Sequence, residues 1–134
     1  MLSTPLTQHF GLRYPIVLAP MNTISHGVLA AAVSRAGGLG LLGGAYGDRE
    51  WLRPELDYLA EHAPRPWGIG FITWSASTEV VEAALAYKPD AVMVSFGEPT
   101  RLAQLAKAAG ATVLCQVQTP DAARAAVQAG ADFV

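Results

Sequence analysis

The side chains of this sequence that could take part in chemistry are few and scattered. Cys115 and Gln116 close an apolar run, "TVLCQV" (Thr112–Val117). A carboxamide in a core strand must find hydrogen-bond partners, and Gln116 can offer both donor and acceptor to the edge of a heterocycle. No basic residue adjoins Cys115, so its thiol reads as a small buried packing group rather than a nucleophile. Of the three histidines, His9 precedes the first apolar run and His62 closes a helical pattern, and both read as solvated. His26 lies just past that first run. It reads as first-turn residue of a helix capped by Ser25, with approach to a ligand as the functional alternative. Histidines and carboxylates show no metal-ligand spacing, and no serine stands in a G-x-S-x-G context. "GLGLLG" (Gly38–Gly43) fits G-x-G-x-x-G by letter. A dinucleotide fingerprint needs its glycines after a strand and opening a helix, whereas these lie before and within the strand. They read instead as a helix cap and a close helix–sheet contact.

The elements that must position these residues follow from a recurring unit. "AAGATVLCQV" (Ala108–Val117) and "QAGADFV" (Gln128–Val134) share one grammar: helix end, glycine, small residue, apolar strand. "SRAGGLGLLGG" (Ser34–Gly44) and "AYKPDAVMVSF" (Ala86–Phe96) repeat it, the latter with Pro89 in place of the glycine. The strands are apolar without alternation: "PIVLAPM", "LGLLGG", "GIGFIT", "AVMVSF" and "TVLCQV". Between them, Leu102, Leu105, Ala106 and Ala109 mark one helical face, and Leu56, Leu59, Ala60 and Ala63 another. Ala123, Ala126 and Val127 mark the last helix, opened by Thr119 as N-cap with Pro120 at its first position. Strands apolar on both faces and separated by helices indicate a parallel sheet of βα units.

Five strands, five helices and the start of a sixth strand suit two architectures. A five-stranded doubly wound sheet is complete at about this length. A (β/α)8 barrel needs about 250 residues, so the chain would be its N-terminal portion. The apolar "DFV" after the fifth helix favours the barrel, truncated at the start of strand 6, with residues 1–134 as a single α/β domain. Receiver-domain chemistry is excluded, because the strand ends that would carry its acids read Pro20-Met21-Asn22 and Thr73-Trp74.

Composition narrows the class further. Hydrophobic residues make up 51% and charged residues 15%, which describes a globular chain. A net charge of −2 gives no reason to expect nucleic acid or an acidic membrane as partner. The single cysteine precludes an intrachain disulfide and points to a cytoplasmic location. Tyr14 to Ser34 carries no charge, but Pro15, Pro20, Asn22, His26 and Gly27 interrupt it, so a membrane span is not expected. The strand ends "LAPMN", "FITW" and "SFGEP" are rich in small residues and poor in acids and bases. Such a rim suits a flat, largely apolar cofactor held by main-chain groups.

Taken in order, "YPIVLAPM" (Tyr14–Met21), "LAAAVSRAGGLGLLGG" (Leu29–Gly44), "WGIGFITW" (Trp67–Trp74), "VSFGEP" (Val94–Pro99) and "CQVQTPDAARAAVQAGADFV" (Cys115–Val134) resemble the nitronate monooxygenase family, formerly 2-nitropropane dioxygenases. Its members are FMN-dependent (β/α)8 barrels. The resemblance implies that Ala19, Pro20, Met21 and Asn22 lie against the isoalloxazine ring through backbone groups. It implies that Gln116 reaches the pyrimidine edge of the flavin. Gly70 stands where many members carry Asn, so that side-chain contact is missing. The family's catalytic histidine, in a Gln-Gly-x-Glu-Ala-Gly-Gly-His segment, and its phosphate-binding glycine loops would follow residue 134, leaving no catalytic residue in these positions. The implied activity is oxidation of an alkyl nitronate by O2 to a carbonyl compound and nitrite, in an apolar pocket to which Met21, Phe71 and Trp74 would contribute. The alternatives are an FMN-dependent enoyl-acyl-carrier-protein reductase of the same superfamily, and a non-catalytic half-barrel that forms homo-oligomers through exposed strand edges.

Overall fold

A computed structural model describes residues 2–134. Four strands, β1 (Gly40–Gly43), β2 (Trp67–Ile72), β3 (Ala91–Ser95) and β4 (Thr112–Cys115), form one parallel sheet in the order β1-β2-β3-β4. Between and around them run α1 (Pro5–Phe10), α2 (Gly27–Ala36), α3 (Arg49–His62), α4 (Thr78–Leu85), α5 (Thr100–Ala108) and α6 (Pro120–Gln128), with a 3-10 turn at Ala45–Gly47.

The strand order decides between the two architectures. A doubly wound sheet reverses its order at a switch point and carries helices on both faces. Here each strand pairs with the next in sequence, and the sheet faces are unlike. Leu42, Trp67, Ile69, Phe71, Val92, Val94, Val113 and Cys115 pack with residues of α2 to α6 in one core. The alternate residues Leu41, Ala91 and Leu114, with Leu39 and Leu12, form a second cluster that Leu6 and Phe10 of α1 close off. Helices outside, an inner apolar face and sequential strands are the arrangement of a (β/α)8 barrel. The doubly wound alternative is thereby set aside.

Two expected strands are each reduced to one bridge. "PIVLAPM" contributes only Val17 opposite Leu39, and the expected sixth strand only Phe133 opposite Leu114. Each segment has a neighbour on one side alone. Pro15 and Pro20 also supply no N–H, and the ladder on that side stops at the Leu18-to-Leu39 and Leu39-to-Ile16 bonds. The sequence pattern also passed over α1, which Thr4 opens with a capping box and Pro5 at its first turn.

Caps and helix faces otherwise follow the sequence closely. Thr119 accepts from the Ala122 N–H at the start of α6, and Asp48 and Ser77 cap α3 and α4 in the same manner. Leu56, Leu59, Leu102 and Ala106 are buried as expected, whereas Ala60, Ala109 and Val127 face outward. Gly37 closes α2 in the left-handed conformation. A Cβ on Gly40 would come within 1.9 Å of the Ala30 carbonyl oxygen, so α2 rests directly on the strand. The glycines of "GLGLLG" thus serve helix–sheet packing.

Candidate functional site

Strands that leave the sheet in parallel deliver their C-terminal ends, and the loops after them, to one face. A cleft of about 730 Å³ opens there. Its wall on one side is the loop Ala19–Asn22, and opposite stand Gly44, Ala45 and Tyr46 after β1, Gly70, Phe71 and Ile72 of β2, Met93 and Ser95 of β3, Phe96, and Cys115 and Gln116. All six residues expected to hold a cofactor, Ala19, Pro20, Met21, Asn22, Gly70 and Gln116, line this one space. They come from three separate stretches of chain.

Gln116 corrects one expectation. It lies just past β4, exposed, rather than inside a core strand. Its backbone N–H continues the ladder to the Val94 carbonyl at 3.0 Å. Among the described residues its carboxamide makes no hydrogen bond, which leaves one donor group and one acceptor free at the cleft. Cys115 is buried, and burial pushes its thiol above the ordinary range, so it is a packing group as expected.

Gly70 faces the opposite wall at very close range. A Cβ there would fall 2.2 Å from Cγ of Pro20 and 2.4 Å from its Cβ. The proline ring fills the volume a side chain at position 70 would need. Presence of the glycine and position of the loop are therefore one feature.

Backbone strain gathers at the same place. Among the described residues, five non-glycine residues adopt left-handed φ values: Asn22, Ala45, Tyr46, Lys88 and Phe96. All but Lys88 line the cleft. Each such residue costs about 1 kcal/mol or more, and strain of this kind concentrates at functional sites. The feature was not legible in the sequence, since apart from Asn22 none of these residue types favours the left-handed conformation.

Three expectations fail here. Trp74 is 71% exposed and leans on Tyr46 with ring centroids 5.9 Å apart, outside the cleft lining, whereas Met21 and Phe71 do line it. His26 is the N-cap of α2 and makes no side-chain capping bond, and it does not line the cleft either. Ser25 does not cap that helix. The first N–H of α2, on Gly27, is satisfied from α3 by the Glu55 carboxylate at 2.6 Å, a cap supplied across the fold that local pattern cannot reveal. His9 is exposed, as expected, and its Nε2 lies 2.8 Å from Thr112 Oγ1 while its ring meets Phe10 and Phe133 edge-on. His62 ends α3 and stacks on Tyr58.

No Asp, Glu, Lys, Arg or His lines the cleft among the described residues. A flat, mainly apolar group could enter without desolvating a charged side chain, flanked by backbone and small residues, with the carboxamides of Asn22 and Gln116 for its polar edge. Among the described residues no helix is long and apolar enough to cross a membrane.

Residues 3–79 match the family model for nitronate monooxygenase. The chain belongs to the nitronate monooxygenase family. This is a family of oxidoreductases. A "probable nitronate monooxygenase" of Staphylococcus saprophyticus is 35% identical over 81 residues, covering 60% of this chain and 23% of that protein. One from Staphylococcus aureus is 36% identical over 64 residues, covering 48% and 18%. Among solved structures, FabK from Thermotoga maritima superposes with a TM-score of 0.89 at 30% identity, over 98% of this chain and 43% of that one. A nitroalkane oxidase from Streptomyces ansochromogenes gives a TM-score of 0.75 at 28% identity, over 96% and 47%. The chain thus spans less than half of either solved structure and about a quarter or less of the curated relatives it matches.

Proposed function

We propose that the cleft is one wall of an FMN site, and that the protein containing it oxidises alkyl nitronates with O2 to a carbonyl compound and nitrite. The observation that supports this most is the convergence of Ala19–Asn22, Gly70 and Gln116 on one uncharged space at the C-terminal ends of parallel strands. When bound, the flavin would mediate electron transfer between the nitronate and O2, with the oxygen gained by the carbonyl product coming from O2.

The residues present supply binding and orientation. Pro20 and Met21 offer an apolar surface to a planar ring, and the closeness of Pro20 to Gly70 keeps that surface seated in the mouth of the sheet. Gln116 can hydrogen-bond the polar edge of the ring and favour negative charge developing there. Met21, Ile24 and Phe71 exclude water from the ring and suit a small alkyl substituent. With no basic side chain in this wall, a substrate that arrives already as an anion asks for no proton transfer from it.

The test is incubation of the protein with FMN, a propyl nitronate and air, with nitrite formation and oxygen uptake followed together. Nitrite release coupled to oxygen uptake is expected, two nitrite for each O2 when both oxygen atoms end in carbonyl product. Neither appearing would overturn the reading, and reduction of an enoyl thioester by NADH without nitrite would reassign the site to the reductase of the same superfamily.

A further inference from the structure

Ser25 carries an inference that rests on the flavin reading and adds a positioning residue to it. Its side chain is fully buried, which for a hydroxyl demands partners. It has two, both in the loop that walls the cleft. The hydroxyl donates to the Ala19 carbonyl at 2.6 Å and accepts from the Met21 N–H at 3.0 Å. The Ser25 backbone carbonyl in turn accepts from the Gly43 N–H, 2.9 Å away at the last residue of β1. One residue therefore closes the loop upon itself and ties it to the strand, at the level where regular pairing with β1 has already ended. Gly43 shows how tightly: a Cβ there would lie 1.8 Å from the Asn22 carbonyl oxygen.

We propose that Ser25 fixes residues 19–22 in the geometry that receives the flavin before any ligand arrives. The hydroxyl also limits which main-chain groups remain for the ring. It occupies the Ala19 carbonyl and the Met21 N–H, and the Ile24 N–H occupies the Met21 carbonyl at 2.9 Å. Among the described residues, the Ala19 N–H, the Pro20 carbonyl and both the N–H and the carbonyl of Asn22 are left without a hydrogen bond. Backbone contact to the flavin narrows from the whole loop to these groups. Preorganisation of this kind raises affinity by removing the cost of ordering the loop on binding.

Amide hydrogen exchange and FMN titration of the wild type, Ser25→Ala and Ser25→Thr decide the matter. In Ser25→Ala the Met21 amide should exchange at least about tenfold faster and the FMN Kd should rise about tenfold, while amides of β2 and β3 keep their protection. Ser25→Thr, which keeps the hydroxyl, should restore both. Unchanged Met21 exchange and FMN affinity in Ser25→Ala would overturn the proposal. So would loss of protection throughout β2 and β3, which would make Ser25 a residue of global stability alone. If the wild type bound no FMN, the flavin reading would fall, and the Met21 exchange rates would still show whether Ser25 holds the loop.

Discussion

The two ends of the sheet are built from the same strands and held by different means. At the N-terminal end, acidic side chains stitch neighbouring strands together. Asp90, entering β3, accepts the Trp67 N–H at the start of β2 and pairs with Arg65 at 2.6 Å. Asp132, before Phe133, accepts the Val113 N–H of β4 and pairs with Lys107 at 2.5 Å. Ser34 of α2 does related work, accepting from the Gly40 N–H and donating to the Pro66 carbonyl. At the C-terminal end the strands run out into left-handed residues, exposed aromatics and an uncharged cleft. The first end carries charged side chains that hold strands in place, and the second carries four of the five left-handed non-glycine residues found among the described residues. That division is the one expected where loops after the strands do chemistry and the opposite loops provide stability.

Substitutions at the two ends should therefore separate stability from binding. The largest stability loss is expected at Gly40→Ala, whose new methyl meets the Ala30 carbonyl, at about 3 kcal/mol, the upper part of the usual overpacking range. Urea unfolding monitored by tryptophan fluorescence would measure it. Asp90→Ala leaves the Trp67 N–H without its partner and should cost about 2 kcal/mol in the same assay, with FMN affinity of the folded protein unchanged. Gly70→Ala should reverse that balance. Its methyl presses on a proline ring in a loop, so stability should fall by about 1 kcal/mol, the low end of the overpacking range, while FMN binds about tenfold more weakly. Gln116→Ala should leave stability within about 0.5 kcal/mol, because the side chain is exposed, and weaken FMN several-fold.

Acid should loosen the stitched end. Burial raises the Asp132 carboxyl, but the Lys107 and Val113 hydrogen bonds and the charges of Lys107 and His9 outweigh it and hold the group below its ordinary value. A carboxylate depressed in the folded state stabilises above its unfolded pKa, about 3.9, and that contribution is lost as pH falls further through the folded value. The protection factor of the Val113 amide, its exchange relative to an unfolded peptide at the same pH, should fall below about pH 4 and stay flat between pH 5 and 7. In Asp132→Asn the acid-induced change should disappear.

Much of the βα framework was open to reading from sequence, because its grammar is local. Thr119 with Pro120, the glycine-closed helices and the apolar runs at β1 to β4 each rest on residues near in sequence. The barrel reading over the open sheet came from "DFV" and holds, although that segment makes one bridge rather than a strand. What sequence could not show depends on distant residues meeting. Glu55 capping α2, the Pro20 ring filling the space beside Gly70, and Ser25 turned inward to its own loop all need three-dimensional proximity. Trp74 was misplaced because strand-end position does not say which way a loop residue turns once Tyr46 is beside it. Gln116 landed in the cleft for a reason that sequence could supply. It continues the alternation of Leu114 on the inner face.

The strand-end cleft, and not the stitched end, should receive the flavin. The most direct measurement is an FMN titration followed by backbone amide chemical shifts over the whole chain. The account predicts saturable shifts at Ala19, Met21 and Asn22, at Gly44 to Tyr46, at Gly70 to Ile72, and at Ser95, Phe96 and Gln116, with Arg65, Lys88, Asp90 and Thr112 unmoved. Shifts confined to that second group, or none at millimolar FMN, would contradict it.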